Sequence, residues 1–223
     1  LSTGVHDPLY ARAIVFSQGA TTLAIVGCDL AMMSPAVASQ ARTAIAASCS
    51  VEPNHVLIHA SETHNGPDYF GEFRDAFHQR AVAAHGHDPA DEVARQRDLW
   101  FRGPRTGVDF LELVHAATVS GIYGRHEGGP VPVLLQAFRL DSDTALIGLP
   151  SEVSIELGLL IRKESPFRRT VVLQLSNDWL GYIPTKRIFE EGHYEAVVAK
   201  IQPGEGERMA KEALSLLREL KSD

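Results

Sequence analysis

The sequence has little cysteine, no long apolar run and no block of like charges. Only Cys28 and Cys49 are present among 223 residues. Two cysteines leave the redox compartment open, and Cys28, set in an apolar run, reads as a small buried hydrophobe. No run approaches the ~18 apolar residues of a spanning helix, which excludes a helical membrane span. The formal net charge is −7, and there is no basic stripe to neutralise phosphates. That argues against a nucleic-acid partner. The one local basic cluster, Arg162, Lys163, Arg168 and Arg169, reads as a solvated face. No signal peptide is visible, and that absence excludes little, because the chain opens Leu-Ser-Thr without an initiator methionine.

What is present fits one globular domain over residues 1–223. The chain is 44% hydrophobic and 22% charged, enough apolar material for a sizeable core. "ARAIVFSQGATTLAIVGCDL" reads as two strands, 11–16 and 22–28, joined by a polar turn containing Gly19. The second strand is apolar almost throughout, as in a strand buried on both faces. Ser34 and Pro35 then give an N-cap and a first-turn proline for a helix over 35–47. "VEPNHVLIHAS" supplies the next turn and strand. The pattern recurs in "VPVLLQAFRLDSDTALIGLPSE", whose turn is Asp141-Ser142-Asp143. A helix capped by Ser151 is expected next, then a strand over 170–175. The C-terminal segment is an amphipathic helix with Met209, Ala213, Leu216, Leu217 and Leu220 at helical spacing. Strands alternating with helices, with hairpins between, predict an α/β fold: a mixed β-sheet with flanking helices. The two hairpin-plus-helix units suggest a duplicated element. The middle of the chain is polar, with helical stretches before and after 110 and a Gly/Pro-rich loop at 120–132.

Chemistry-bearing residues collect at strand ends. One strand delivers Glu62 and His64, another Glu152, and a third Asn177, Asp178 and Tyr182. Ligands bind outside the carboxyl ends of strands in open α/β sheets, so these residues can share one site. Glu62 and His64 have i, i+2 spacing, which in extended backbone points both side chains one way. A carboxylate beside an imidazole suits a divalent ion such as Zn²⁺; the bland alternative is two polar residues where a strand surfaces. His59 reads either as a supporting hydrogen-bond partner or as a satisfied, partly buried strand histidine. His85 and His87 read as loop. Glu152 reads as a helix first-turn acid favoured by the dipole or as a site carboxylate. Tyr182 and Tyr194 read as packing residues or site groups.

Four blocks, "GVHDPLYARAIVF", "HVLIHASETHNGPD", "IGLPSEVSIELG" and "LSNDWLGYIPTKRIFEEGHYEA", stand in this order. In that order they resemble the neutral/alkaline non-lysosomal ceramidases and their bacterial relatives, over the first third and last two fifths of the chain. The family's enzymes are zinc-dependent amidases that cleave the N-acyl bond of ceramide. The resemblance implies metal ligands at Glu62, Glu152 and Tyr182, and catalytic roles for His64 and Tyr194. Glu62 stands where the family has a histidine, and Ser151 where it has a glycine. The resemblance also implies that the family's central section is lacking around 70–120. With it goes another histidine ligand, for which His78, His85, His87 and His115 are the candidates.

The expected function is therefore zinc-dependent hydrolysis of the amide of ceramide or a related lipid amide. The expected cofactor is Zn. The expected partner is a lipid amide or other small-molecule substrate, with a peripheral membrane contact left open, and the resemblance implies a secreted or periplasmic setting. Two other classes stay open: an inactive remnant that binds or supports, and a hydrolase of a different amide or ester.

Overall fold

The structure, a computed structural model, describes residues 5–64, 82–83, 86 and 130–222. The expected central deletion, the mid-chain helices and the candidates His78, His85, His87 and His115 lie outside the described residues. The opening hairpin pairs β1 (Ala11–Gln18) with β2 (Thr21–Cys28) in one unbroken antiparallel register. Its turn holds Gly19 at φ 59, a left-handed conformation that favours glycine. Helix α1 (Pro35–Cys49) starts as expected: the Ser34 side chain accepts from the backbone N–H of Val37 at 3.3 Å. A 3-10 turn at Pro53–His55 leads into β3 (Val56–Ala60), which lies parallel to β2.

The second unit repeats this topology. Strands β4 (Gln136–Arg139) and β5 (Thr144–Gly148) form an antiparallel hairpin. The Asp141 carboxylate accepts from the Asp143 N–H at 2.7 Å and shapes the turn. Helix α2 (Ile155–Glu164) crosses over to β7 (Arg169–Leu173), which pairs in parallel with β5. Both sheets thus have the same order, a hairpin followed by a parallel third strand. Two short strands, β6 (Glu152–Val153) and β8 (Tyr182–Ile183), form a third, parallel pair. Helices α3 (Lys186–Glu191), α4 (Tyr194–Val198) and α5 (Glu205–Ser222) complete the described chain.

The alternation of side chains along the strands sorts the core into layers. Val26, Val56 and Ile58 pack under α1 with Met33, Ala38 and Val51. Their neighbours on the opposite face, Leu23 and Leu57, meet Phe138 and Leu146 of the second sheet. The far face of that sheet, Ala145 and Ile147, packs on Leu157 and Ile161 of α2 and on Ala210, Ala213 and Leu217 of α5. The order is helix, sheet, sheet, helix. A close approach marks the inter-sheet layer. A Cβ at Gly148 would lie 2.7 Å from Leu57 Cδ1 and 3.0 Å from Ser176 Cβ. Strand β1 is the outer edge and is exposed along its length.

Two local expectations are corrected. Ser151 does not cap α2: it is fully buried, and its hydroxyl donates to the Pro150 carbonyl at 2.7 Å. The N-cap is Ser154, and Glu152 lies before the helix, on β6. Pro150 has no N–H and interrupts the chain there. The Val153 backbone is bracketed instead by the Gln174 amide, at 2.9 and 3.2 Å, and this draws 152–153 into a strand.

Leu57 is fully buried between the sheets, while Ile14 on the edge is 62% exposed. Leu57→Ala should cost about 2–5 kcal/mol in a urea melt. Ile14→Ala should stay within ~0.5 kcal/mol. Equal effects would sink the inter-sheet assignment. Asn177 is 4% exposed, sits at φ 62, and its amide bridges Ile58 and Gln136. Asn177→Ala strands those partners and should cost about 1–3 kcal/mol in the same assay.

Candidate functional site

The site is built at the carboxyl ends of the parallel strands, around the chain that leaves β7. Leu175 and Asn177 adopt left-handed conformations, φ 51 and 62. The segment therefore folds back on β3, with His59 and Ser176 forming an isolated antiparallel bridge. The N–H of Ala60 donates to the Leu175 carbonyl at 3.1 Å, and that of Asn177 to the Ile58 carbonyl at 2.8 Å. Gly181, at φ 87, then turns the chain into β8. Gly181 accepts from the Glu152 N–H at 3.2 Å, and Ile183 accepts from the Ser154 N–H at 3.1 Å. In the resulting parallel register Glu152 is the direct neighbour of Tyr182.

That register brings chemistry together. The Tyr182 phenol lies beside the Glu152 carboxylate, and the indole N–H of Trp179 donates to Glu152 Oε1 at 3.0 Å. Tyr194, the first residue of α4, meets Tyr182 edge to face, with ring centroids 5.7 Å apart at 75°. Burial holds the Tyr182 phenol well above the ordinary tyrosine range. Its bond to Glu152 and the charges of Glu152, Tyr194 and Glu62 push the same way. The charge of Glu62, delivered from the end of β3, therefore reaches the phenol.

Glu62 itself has φ 63, an uncommon conformation for a residue with a side chain. His64 Nδ1 lies 2.7 Å from the Glu62 carbonyl oxygen. A carbonyl only accepts, so Nδ1 carries the proton, and in the neutral ring Nε2 keeps its lone pair. His64 is exposed, and among the described residues its one hydrogen bond is to Glu62, not to the Glu152–Tyr182 pair. His59 lies on the inter-sheet face, where a Cβ at Gly27 would come within 3.0 Å of its Nε2. The structure thus groups Glu152, Tyr182 and Tyr194 and adds the charge of Glu62, while His59 lies on the inter-sheet face.

Among the described residues no three His, Cys, Asp or Glu side chains converge on a metal position. The Tyr182 phenol lies beside Glu152 in the β6–β8 pair, and the charge of Glu62 reaches it. Neither carboxylate has an ion-pair partner among the described residues. Glu152 and Tyr182, side by side in the parallel register, are oxygen donors of the kind a divalent cation takes.

Comparison with known proteins bears on the fold. No protein-family model matches the chain, and no curated protein matches it by sequence. Among solved structures, the neutral ceramidase from Pseudomonas aeruginosa superimposes with a TM-score of 0.64 at 13% identity. The match covers 97% of this chain and 70% of that one. The fold is ceramidase-like. A second structure, a ceramidase complexed with C2, matches 40% of this chain and 15% of its own at 21% identity, with a TM-score of 0.35.

Within this ceramidase-like fold, two residues near Glu152 escaped the reading of the sequence. Trp179, in "NDWLGY", has a signal in its chemistry, since a partly buried indole usually seeks an acceptor. Lys200 gave no signal at all, because its place over the Trp179 ring, 3.9 Å from the centroid, depends on how α4 returns to the loop.

The phenol shift has a measurable consequence. A folded-state value above the unfolded one means that Tyr182 favours the fold below pH ~10, and that this contribution fades as pH rises further. In metal-free protein, an alkaline titration followed by ultraviolet absorbance should show one phenol ionising after the others. Tyr182→Phe should remove that late step, and an unchanged titration would contradict the buried Tyr182–Glu152 pair.

Proposed function

We propose that the chain is a metal-dependent amidohydrolase of neutral-ceramidase type, acting on the N-acyl amide of ceramide or a related lipid amide. The supporting observation is the meeting of Glu152, Tyr182 and Tyr194, reached by the charge of Glu62, in a ceramidase-like fold. Glu62, Glu152 and Tyr182 are the residues that would hold zinc. When bound, the ion supplies Lewis-acid activation of the amide and of water.

The chain's own side chains have distinct tasks on this reading. Glu152 and Glu62 bring negative charge to the cation position, and Trp179 fixes one oxygen of Glu152. Tyr194 is half exposed, so its hydroxyl is open to a substrate and suits a hydrogen bond to the developing oxyanion. Nε2 of His64, bare in the neutral ring, is the group that can take up a proton. Among the described residues no helix is long and apolar enough to cross a membrane.

The test joins metal content and turnover. Protein purified without added zinc should contain near-stoichiometric zinc and should release fatty acid from a fluorescent ceramide. Glu152→Gln should lower both, with kcat/KM falling at least about a hundredfold. Absence of both zinc and fatty-acid release sinks the amidase reading and leaves a binding or structural protein. Bound zinc with release from another amide or ester, but none from ceramide, keeps the metal site and discards the lipid specificity.

A further inference from the structure

One short helix reaches the site from both its ends. At its start, Tyr194 packs edge to face on Tyr182. Just beyond its end, Lys200 lies over the Trp179 ring, 3.9 Å from the centroid, and Trp179 in turn donates to Glu152 Oε1 at 3.0 Å. The side-chain carbons of Lys200 also cover Gly181, from which an added Cβ would be 3.6 and 3.7 Å away. Gly181 is the turn that sets the Glu152–Tyr182 register. The carboxylate and the phenol are therefore both tied to α4.

We infer that Trp179 is a positioning residue for Glu152, held in place by Lys200, and that this pair sets the metal affinity of the site. The reasoning rests on the role given to Glu152 above. An indole N–H donates and never accepts. It occupies Oε1 in a direction fixed by a rigid ring and leaves Oε2 for a cation or the phenol. A freely rotating carboxylate would lose rotamer freedom on binding a cation, and a held one has lost it already. The lysine over the ring face adds a cation–π contact and restrains the ring. Such supporting contacts typically change metal affinity by about 10–100-fold.

The decisive variants are Trp179→Phe, which keeps an aromatic face and removes the donor, and the pair Lys200→Met and Lys200→Arg. The probe is zinc ion titrated into apo-protein by calorimetry, with thermal melts run on every variant. Trp179→Phe should bind zinc about 10–100-fold more weakly while melting close to the wild type. Lys200→Met should weaken binding several-fold, and Lys200→Arg, which keeps the cation over the ring, should restore it. Trp179→Phe binding zinc within twofold of wild type, while Glu152→Gln loses it, would overturn the inference and leave the metal site standing. A second readout needs no metal. In a nitrogen-15 spectrum the Trp179 indole N–H, assigned by its loss in Trp179→Phe, should be shifted downfield and slow to exchange. Glu152→Ala should abolish both features. Should the wild type bind no zinc, the zinc assignment falls and this resonance alone decides: a signal indifferent to Glu152→Ala overturns the positioning role.

Discussion

The carboxamide of Asn177 holds the layers of this protein together. Its Oδ1 accepts from the Ile58 N–H at 3.1 Å, in the first sheet, and its Nδ2 donates to Gln136 Oε1 at 2.8 Å, in the second. Gln136 passes the link on, donating to the Asn54 carbonyl at 2.7 Å. The two Asn177 bonds lie where water is scarce, so each of those groups needs its partner. Apolar packing between sheets is non-directional and tolerates sliding. Hydrogen bonds with one geometry do not. The amide thus selects one register of sheet on sheet out of the several that Leu57, Phe138 and Leu146 would allow.

The site inherits that choice. Asn177 is at a left-handed φ, which an asparagine tolerates better than most residues. The reversal it makes sends Trp179 and Tyr182 toward Glu152. The strands that carry Glu152 and Tyr182 have two residues each, too few to stand alone. They are stabilised from outside, by Gln174 on Val153 and by the Leu180 N–H on the Pro150 carbonyl at 3.1 Å. A short pair positioned by its neighbours can hold a carboxylate against a phenol, an arrangement that neither sequence segment specifies by itself.

That dependence explains what was legible in the sequence and what was not. The first hairpin, the Ser34 cap of α1 and the C-terminal helix α5 follow from local periodicity and capping chemistry, and each lies close to where its residues predict. So does the repetition of hairpin, helix and parallel strand. Glu152 was open to misreading, because "PSEVSIELG" carries two serines that can each cap a helix. The choice between them is made by Gln174, twenty-odd residues away, whose amide captures Val153. The grouping of Glu152, Tyr182 and Tyr194 could be anticipated from a resemblance in motif order. The role of Lys200 could not, since it arises from the return path of α4 and from no local pattern.

Charge gives the site its remaining logic. The charges of Glu62 and Glu152 raise the proton affinity of a half-buried phenol. Two carboxylates match the charge of one divalent cation. On the proposed reading, a phenolate would add a third negative charge and overcompensate, so Tyr182 would remain a phenol, and Glu62 as a ligand would hold a cation more by charge and reduce its power as a Lewis acid. On the proposed reading, this chain compensates through hydrogen-bond donors around the carboxylate and the phenol. Trp179 draws charge from one oxygen of Glu152, and half-exposed Tyr194 would meet the substrate.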